Sequence, residues 1–313
     1  AEVITGPDIH LTSINGKSGN DNITGGSGND TINGGDGDDT LNGQGGTNTL
    51  TYSGASAAIT VDLSNSGAQN TGGAGTDTIS NFTHLTGSGN DDNLTGDTNA
   101  NTINGGNGDD TINGGGGSDT LKGGTGQDNI NGGGGAAIIY GENGADTLTG
   151  GGGAVTIYGG THDDTIHGAN AAETLNGDNG ADTINSGGGG DIITGGRGAD
   201  TINLNVTGEA DTVKLQGAWG GHWVGDVITN FESGNDIIDY ITNYARMDGS
   251  TTSSFNTGTT IDDNTAFIRE GTNVAAGASA TVAQVTANIT VGTFDDGDNG
   301  SSDRIYLAWD NGS

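Results

Sequence analysis

An aliphatic residue returns at every ninth position: Ile14, Ile23, Ile32, Leu41 and Leu50, then Leu85, Leu94, Ile103, Ile112, Leu121, Ile130, Ile139, Leu148, Ile157, Ile166, Leu175, Ile184, Ile193 and Ile202. The units between them, such as Gly25-Gly-Ser-Gly-Asn-Asp-Thr-Ile-Asn33 and Gly105-Gly-Asn-Gly-Asp-Asp-Thr-Ile-Asn113, follow G-G-x-G-x-D-x-U-x, with U aliphatic. One such unit cannot bury its apolar residue alone, so the units must stack. The glycines allow a tight turn, and D-x-U-x is a short strand whose U side chain points inward while its neighbours point out. Two units make a coil of eighteen residues, and coils stack at about 4.8 Å. The fold class this predicts is all-β: a parallel β-roll, a nonapeptide solenoid with a C-terminal β-rich cap.

On these units the chain resembles the RTX, or haemolysin-type calcium-binding, repeat region of type I secreted bacterial proteins. The resemblance implies several Ca²⁺ ions held in the turns, export by a type I secretion apparatus without an N-terminal signal peptide, and a place outside the cell or at its surface. Residues 1–50 read as a first roll block and 85–202 as the main roll of fourteen repeats. Between them, 51–84 is similar to the spacer of such blocks, carrying Tyr52-Ser-Gly-Ala-Ser-Ala-Ala-Ile-Thr-Val-Asp-Leu63 and Gly75-Thr-Asp-Thr-Ile-Ser-Asn81. From 203 to 313 the register is lost and ten of the fourteen aromatics gather, which reads as a capping region, because solenoid ends must be sealed. Within it, the segment from Asp226 to Asp239 resembles the element that closes such rolls. The chain opens almost inside a repeat and stops at Asp310-Asn-Gly-Ser313, and reads as a fragment of something longer.

Composition sharpens the chemistry. With 66 glycines, 29% hydrophobic residues and a formal charge of −33, the chain lacks the aliphatic content of a packed α/β enzyme, and without its period it would read as disordered. That charge repels phosphate, which makes nucleic acid and anionic membrane poor partners; no nucleic acid and no membrane insertion are expected. No apolar run is long enough for a membrane span. Cysteine is absent, so thiolate metal sites are excluded. Stacking sets the aspartates two residues before U into columns about 5 Å apart, where neighbours repel by roughly 3 kcal/mol at an effective dielectric near 20. Only seven Lys and Arg oppose forty Asp and Glu, so a cation must enter from solution. Carboxylates and turn carbonyls suit Ca²⁺, which takes six to eight oxygens in flexible geometry, better than Mg²⁺ with its strict octahedron.

Sorting the main block by parity separates two edges. One carries an acid in every coil: Asp92, Asp110, Asp128, Asp146, Asp164, Asp182 and Asp200. The other reads Thr83, Asn101, Asp119, Ala137, Val155, Glu173 and Asp191 and should bind calcium poorly around Ala137 and Val155. In the first block Asp21 and Asp39 share an edge and Asp30 lies opposite. The expected load is roughly eight Ca²⁺ ions, which would offset about half of the formal charge.

Catalytic signatures are missing. His162 and His167 lack the zinc-protease spacing, no G-x-S-x-G elbow occurs, and the glycine-rich stretches lack the Lys-Ser/Thr of a phosphate loop. Gly132-Gly-Gly-Gly-Ala-Ala-Ile-Ile-Tyr140 and Gly150-Gly-Gly-Gly-Ala-Val-Thr-Ile-Tyr158 stack in adjacent coils and turn Ile138, Tyr140, Thr156 and Tyr158 outward as a candidate interface. The leading functional reading is a calcium-binding, secreted structural protein that self-assembles as a surface layer, fibril or matrix through contacts between copies. The alternative is the calcium-binding and secretion region of a larger hydrolase, toxin or adhesin. A third reading, ice binding, rests on the outward rank Thr111, Thr147, Thr165, Thr183 and Thr201.

Overall fold

The computed structural model describes residues 2–5, 12–205, 208–216, 224–232, 235–241, 286–294 and 304–310. These residues form strands and turns and no helix, in an all-β parallel roll of about eleven coils. One face is a single twelve-stranded sheet running from Thr12–Asn15 to Ile237–Ile241; we call it the long face. The opposite, split face is made of a five-stranded sheet for the first coils and an eleven-stranded sheet for the rest.

The nine-residue period becomes register directly. On the long face Ile103 lies opposite Leu121, Leu121 opposite Ile139, and Ile139 opposite Ile157; on the split face Leu94, Ile112 and Ile130 align in the same way. Every U residue from Ile23 to Ile202 is buried, so two facing aliphatic columns make most of the core along the repeats, joined by Ala137 and Val155. In most units the first turn glycine is followed by a residue with positive φ, as at Gly124 (φ 120°). Glu142 (φ 74°) and Asp178 (φ 71°) stand at the same turn position and adopt that left-handed conformation without being glycine.

The 51–84 segment lies inside the roll. Thr49–Thr51 pairs with Asp30–Asn33 below it and with His84–Thr86 above it, so the long face runs through the insert unbroken. The split face divides there: Gly75–Ser80 closes the five-stranded sheet, folding back as an antiparallel hairpin with Ala68–Gly72, while Thr60–Asp62 begins the eleven-stranded one. Here the core widens, because Tyr52, Ile59, Val61 and Phe82 are buried beside the aliphatic columns.

At the far end Val224–Glu232 continues the split face parallel to Thr201–Asn203. It then pairs antiparallel with Thr286–Phe294, which pairs antiparallel with Arg304–Asp310. This reversal covers the edge of a parallel sheet that would otherwise template further strands. Trp219, Trp223, Phe255 and Phe267 of the aromatic-rich region lie outside the described residues; of the Val/Ala/Thr alternation from 274 to 291, which fits helix or strand alike, residues 286 to 291 are strand and the rest lie outside the described residues.

A core one side chain thick has no second layer to relax into a void. Ile157→Ala, between Ile139 and Leu175, should destabilise the calcium-loaded roll by about 2–4 kcal/mol; thermal unfolding at fixed calcium measures it.

Candidate metal centre

The turns leading from the long face to the split face bring Asp92, Asp110, Asp128, Asp146, Asp164, Asp182 and Asp200 into one buried column. The backbone holds each carboxylate: the N–H of Asp110 donates to Oδ1 of Asp128 at 2.8 Å, that of Asp128 to Asp146, and so on through Asp182 to Asp200 at 2.9 Å. Oδ1 is thereby satisfied. Oδ2 of Asp110, Asp128, Asp146, Asp164, Asp182 and Asp200 is buried and accepts no hydrogen bond from the protein.

These orphaned oxygens border a cradle. A Cβ at Gly105 would collide with Oδ2 of Asp110 and with the carbonyl of Gly123 in the next coil; at Gly159 it would meet Asp164 and Gly177 in the same way. The missing side chain thus leaves a space on which a carboxylate oxygen and a main-chain carbonyl converge. Among the described residues no three His, Asp or Glu side chains gather at one point. A cation here would draw on carboxylates from the column and main-chain carbonyls, an all-oxygen donor set that fits Ca²⁺. Asp92 differs from the rest of its column. Its Oδ1 accepts from the Ile59 N–H and the Ser88 hydroxyl, both at 2.8 Å, and its Oδ2 from the Ser88 N–H at 2.5 Å.

The first coils repeat the relay on the same edge: the Asp21 N–H donates to Asp39 Oδ1 at 2.8 Å and the Asp39 N–H to Asp77 Oδ1 at 3.0 Å, leaving Asp39 Oδ2 orphaned. Asp30, on the opposite edge, accepts from the Gly26 N–H and keeps one orphaned oxygen.

On that opposite edge the column is interrupted. Asp119 accepts from the Asn101 N–H at 2.8 Å and has an orphaned Oδ2. In the next two coils the Ala137 Cβ and the Val155 Cγ2 occupy the slot beside Gly132 and Gly150 where a carboxylate stands elsewhere. The acids resume as a relay from Glu173 to Asp191, Asp211 and Asp236. Glu173, one methylene longer, reaches back to the Ala171 N–H at 3.1 Å. Asn48 supplies its own donor: while Oδ1 accepts from the Asp30 N–H, its Nδ2 donates to the carbonyls of Gly45 and Asn81 at 3.2 and 3.1 Å.

Sequence spacing missed four column members. Asp77, Asp211, Asp226 and Asp236 join the relays across separations of 38, 20, 26 and 25 residues, outside the eighteen-residue rule. Their shared signal is local: each stands two residues before an Ile or Val, at Ile79, Val213, Ile228 and Ile238.

Burial, and then neighbouring carboxylates, push the column upward in pKa: Asp110 and Asp200 to about 7, Asp128 and Asp182 to about 6, and Asp164 to about 8. The backbone N–H bonds pull the other way and are outweighed.

The candidate interface lies on the long face. Tyr140 and Tyr158 are opposite each other with rings stacked at 5.1 Å and 7° between planes. Lys122 Nζ sits 5.5 Å from the Tyr140 ring centroid and 3.4 Å from Glu142 Oε1. Both tyrosines and Thr156 are half-buried, whereas Ile138 is 41% exposed and Ile192, on the same face, 37%.

A family model of the RTX calcium-binding nonapeptide repeat, in four copies, matches residues 15–50, 86–121, 113–148, 140–172 and 167–202. These stretches are an RTX-type repeat region, and such repeats bind Ca²⁺ in multiple sites. No curated protein matches the chain.

Asp146 has an acid in the coil on either side, whereas Asp119 lies between Asn101 and Ala137. Asp146→Ala should therefore lower calcium affinity more than Asp119→Ala, by about tenfold or more, equivalent to about 1.4 kcal/mol. Equal losses by titration calorimetry would refute the distinction between the edges.

The raised pKa values also fix a sign. The folded, ion-free roll binds more protons than the unfolded chain, whose aspartates titrate near 3.9. The stabilisation from protonation is complete below about pH 4 and is lost as pH rises through about 6 to 8. In EGTA, lowering the pH from 8 to 5 should raise the β signal in circular dichroism, while calcium affinity falls over the same window as protons compete for the ladder. A pH-independent spectrum in EGTA would contradict this.

Proposed function

We propose that this chain is an extracellular structural element that folds when it meets calcium and then associates with copies of itself. The calcium-binding roll is the common ground, and a repeat roll of this kind is typically non-catalytic. RTX repeats are typical of type I secreted proteins. Low calcium inside the cell would keep the carboxylate columns repelling and the chain open for export. Millimolar calcium outside would close it, because metal binding supplies the folding free energy that the thin core lacks.

The observation that carries the assembly reading is the face outside Ala137 and Val155. Where the ladder loses its acids, the long face presents Ile138, the stacked Tyr140 and Tyr158, and the cation of Lys122. Aromatic and aliphatic side chains beside the Lys122–Glu142 ion pair, on a chain of net charge −33, form a patch without net charge that another copy could approach. Burying it between two copies would gain a few kcal/mol at roughly 25 cal/mol per Å², before the entropic cost of association. Calcium would act twice, first folding each roll and then lowering the charge that holds copies apart.

Tyr140→Asp combined with Tyr158→Asp should leave the calcium-dependent gain of β signal in circular dichroism unchanged and abolish assembly in light scattering at millimolar calcium. A strict monomer for the unmutated chain under those conditions would overturn the assembly reading. The same β content in EGTA and in calcium would overturn calcium-driven folding.

A further inference from the structure

Not every position of the two columns leaves a buried oxygen for a cation, and three that do not lie together. Asp77 ends the first column. Its Oδ1 accepts from the Asp39 N–H, and its Oδ2 accepts from the Tyr52 hydroxyl at 2.8 Å and, at 3.1 Å, from the Thr71 hydroxyl, whose one proton is shared with the Gly75 carbonyl at 3.0 Å. Asp92 begins the long column, and Ser88 and the Ile59 N–H satisfy both its oxygens. On the other edge Asn48 fills the acid's place with a neutral amide whose Nδ2 bonds two carbonyls. All three surround the insert between the two blocks of repeats. Away from it, the acids from Asp110 to Asp200 each keep a buried oxygen that no protein group satisfies.

We propose that residues 48 to 94 form a calcium-independent hub, folded before any cation binds, from which the two calcium-dependent stacks of coils extend in opposite directions. Three further features support it. Tyr52, Ile59, Val61 and Phe82 give this segment more buried apolar surface per coil than one U residue per unit supplies elsewhere. Ala68–Gly72 and Gly75–Ser80 pair as a hairpin closed by a short turn, whereas the strands of the repeats pair across eighteen residues and carry a larger loop-closure cost. The hub also presents a paired strand to both stacks: Gly75–Ser80 to the first split-face sheet, Thr60–Asp62 to the second, and Thr49–Thr51 to the long face. The Tyr52 and Thr71 hydroxyls do at Asp77 what a cation does elsewhere: they give a buried carboxylate oxygen its partners. An uncharged donor does so at every calcium concentration.

Hydrogen exchange read by mass spectrometry on the full chain tests this. In EGTA, amides of Thr49–Thr51, Thr60–Asp62 and Gly75–Ser80 should exchange at least tenfold more slowly than those of the strands between residues 102 and 203. At 5 mM calcium both groups should be protected. Equal, fast exchange of hub and repeats in EGTA would overturn the hub while leaving calcium-driven folding intact. Equal, slow exchange of both would overturn calcium-driven folding itself, and with it the contrast that defines the hub. Tyr52→Phe combined with Thr71→Val removes both donors to Asp77 Oδ2. In EGTA its hub amides should lose at least tenfold in protection, and the loss should be recovered in calcium, when a cation can serve the freed oxygen. Unchanged protection of this variant in EGTA would refute the role given to the two hydroxyls, and the unmutated chain decides the hub even where the variant does not fold.

Discussion

Along the acidic edge, the hydrogen bond from each aspartate's backbone N–H to the carboxylate of the next coil creates the problem that the rest of the molecule answers. It fixes every side chain in its column, turned inward and dry, and it uses only one of the two oxygens. A carboxylate pinned in this way cannot swing into solvent to escape its neighbours, and at about 5 Å each pair costs roughly 3 kcal/mol. An ordinary protein would offset several such pairs with a thick apolar core. Here two aliphatic columns face each other with nothing behind them. The interaction that defines the fold therefore also works against it, and protons or cations would relieve the repulsion.

The two edges treat this constraint differently. One keeps an acid in every coil and a glycine cradle beside each, so its demand for cations is continuous from Asp110 to Asp200. The other removes the demand piecewise: an amide at Asn48, a methyl at Ala137, a branched side chain at Val155. Replacing a carboxylate by a methyl deletes both the repulsion and the reason for a cation, so on that edge those coils hold by packing and backbone bonds. The same coils carry the aromatic pair on their outer face. Stacked Tyr140 and Tyr158 add side-chain contact between coils where one edge contributes no ionic bridge.

Much of this could be read before the coordinates, because a strict period leaves little freedom. The spacing of Ile103, Leu121 and Ile139 sets strand, register and core together, and parity alone assigns each aspartate to an edge. What escaped was whatever breaks the period. The step from Leu50 to Leu85 is 35 residues, which is not a whole number of coils, so the unbroken long face through the insert could not be counted out. Asp77 was invisible as a column member for the same reason, and its partners Tyr52 and Thr71 lie at separations that no repeat rule connects. Ser88 occupies a position that reads as an ordinary turn substitution, yet its hydroxyl and N–H remove Asp92 from the set of orphaned acids. Composition and spacing locate carboxylates; only coordinates reveal which of their oxygens are already taken.

A cation drawing on a carboxylate of one coil and a main-chain carbonyl of the next would be shared by both, so its binding free energy would belong to a contact between neighbours and not to a single repeat. Such a stack behaves as a one-dimensional array in which each closed coil presents a half-formed site to the next. Closing the first coil is costly, because its acids gain a neighbour only above or below. Each later coil adds one strand on each face and would complete one site, which would make the response to calcium steeper than that of an isolated turn. An array of this kind needs a starting point that does not itself require the cation, or its threshold would be set by the improbable first closure. A segment whose buried carboxylates are served by Tyr52, Thr71 and Ser88 meets that requirement from within the chain. Its position between the two stacks lets both grow from one nucleus, along a long face whose register it already holds.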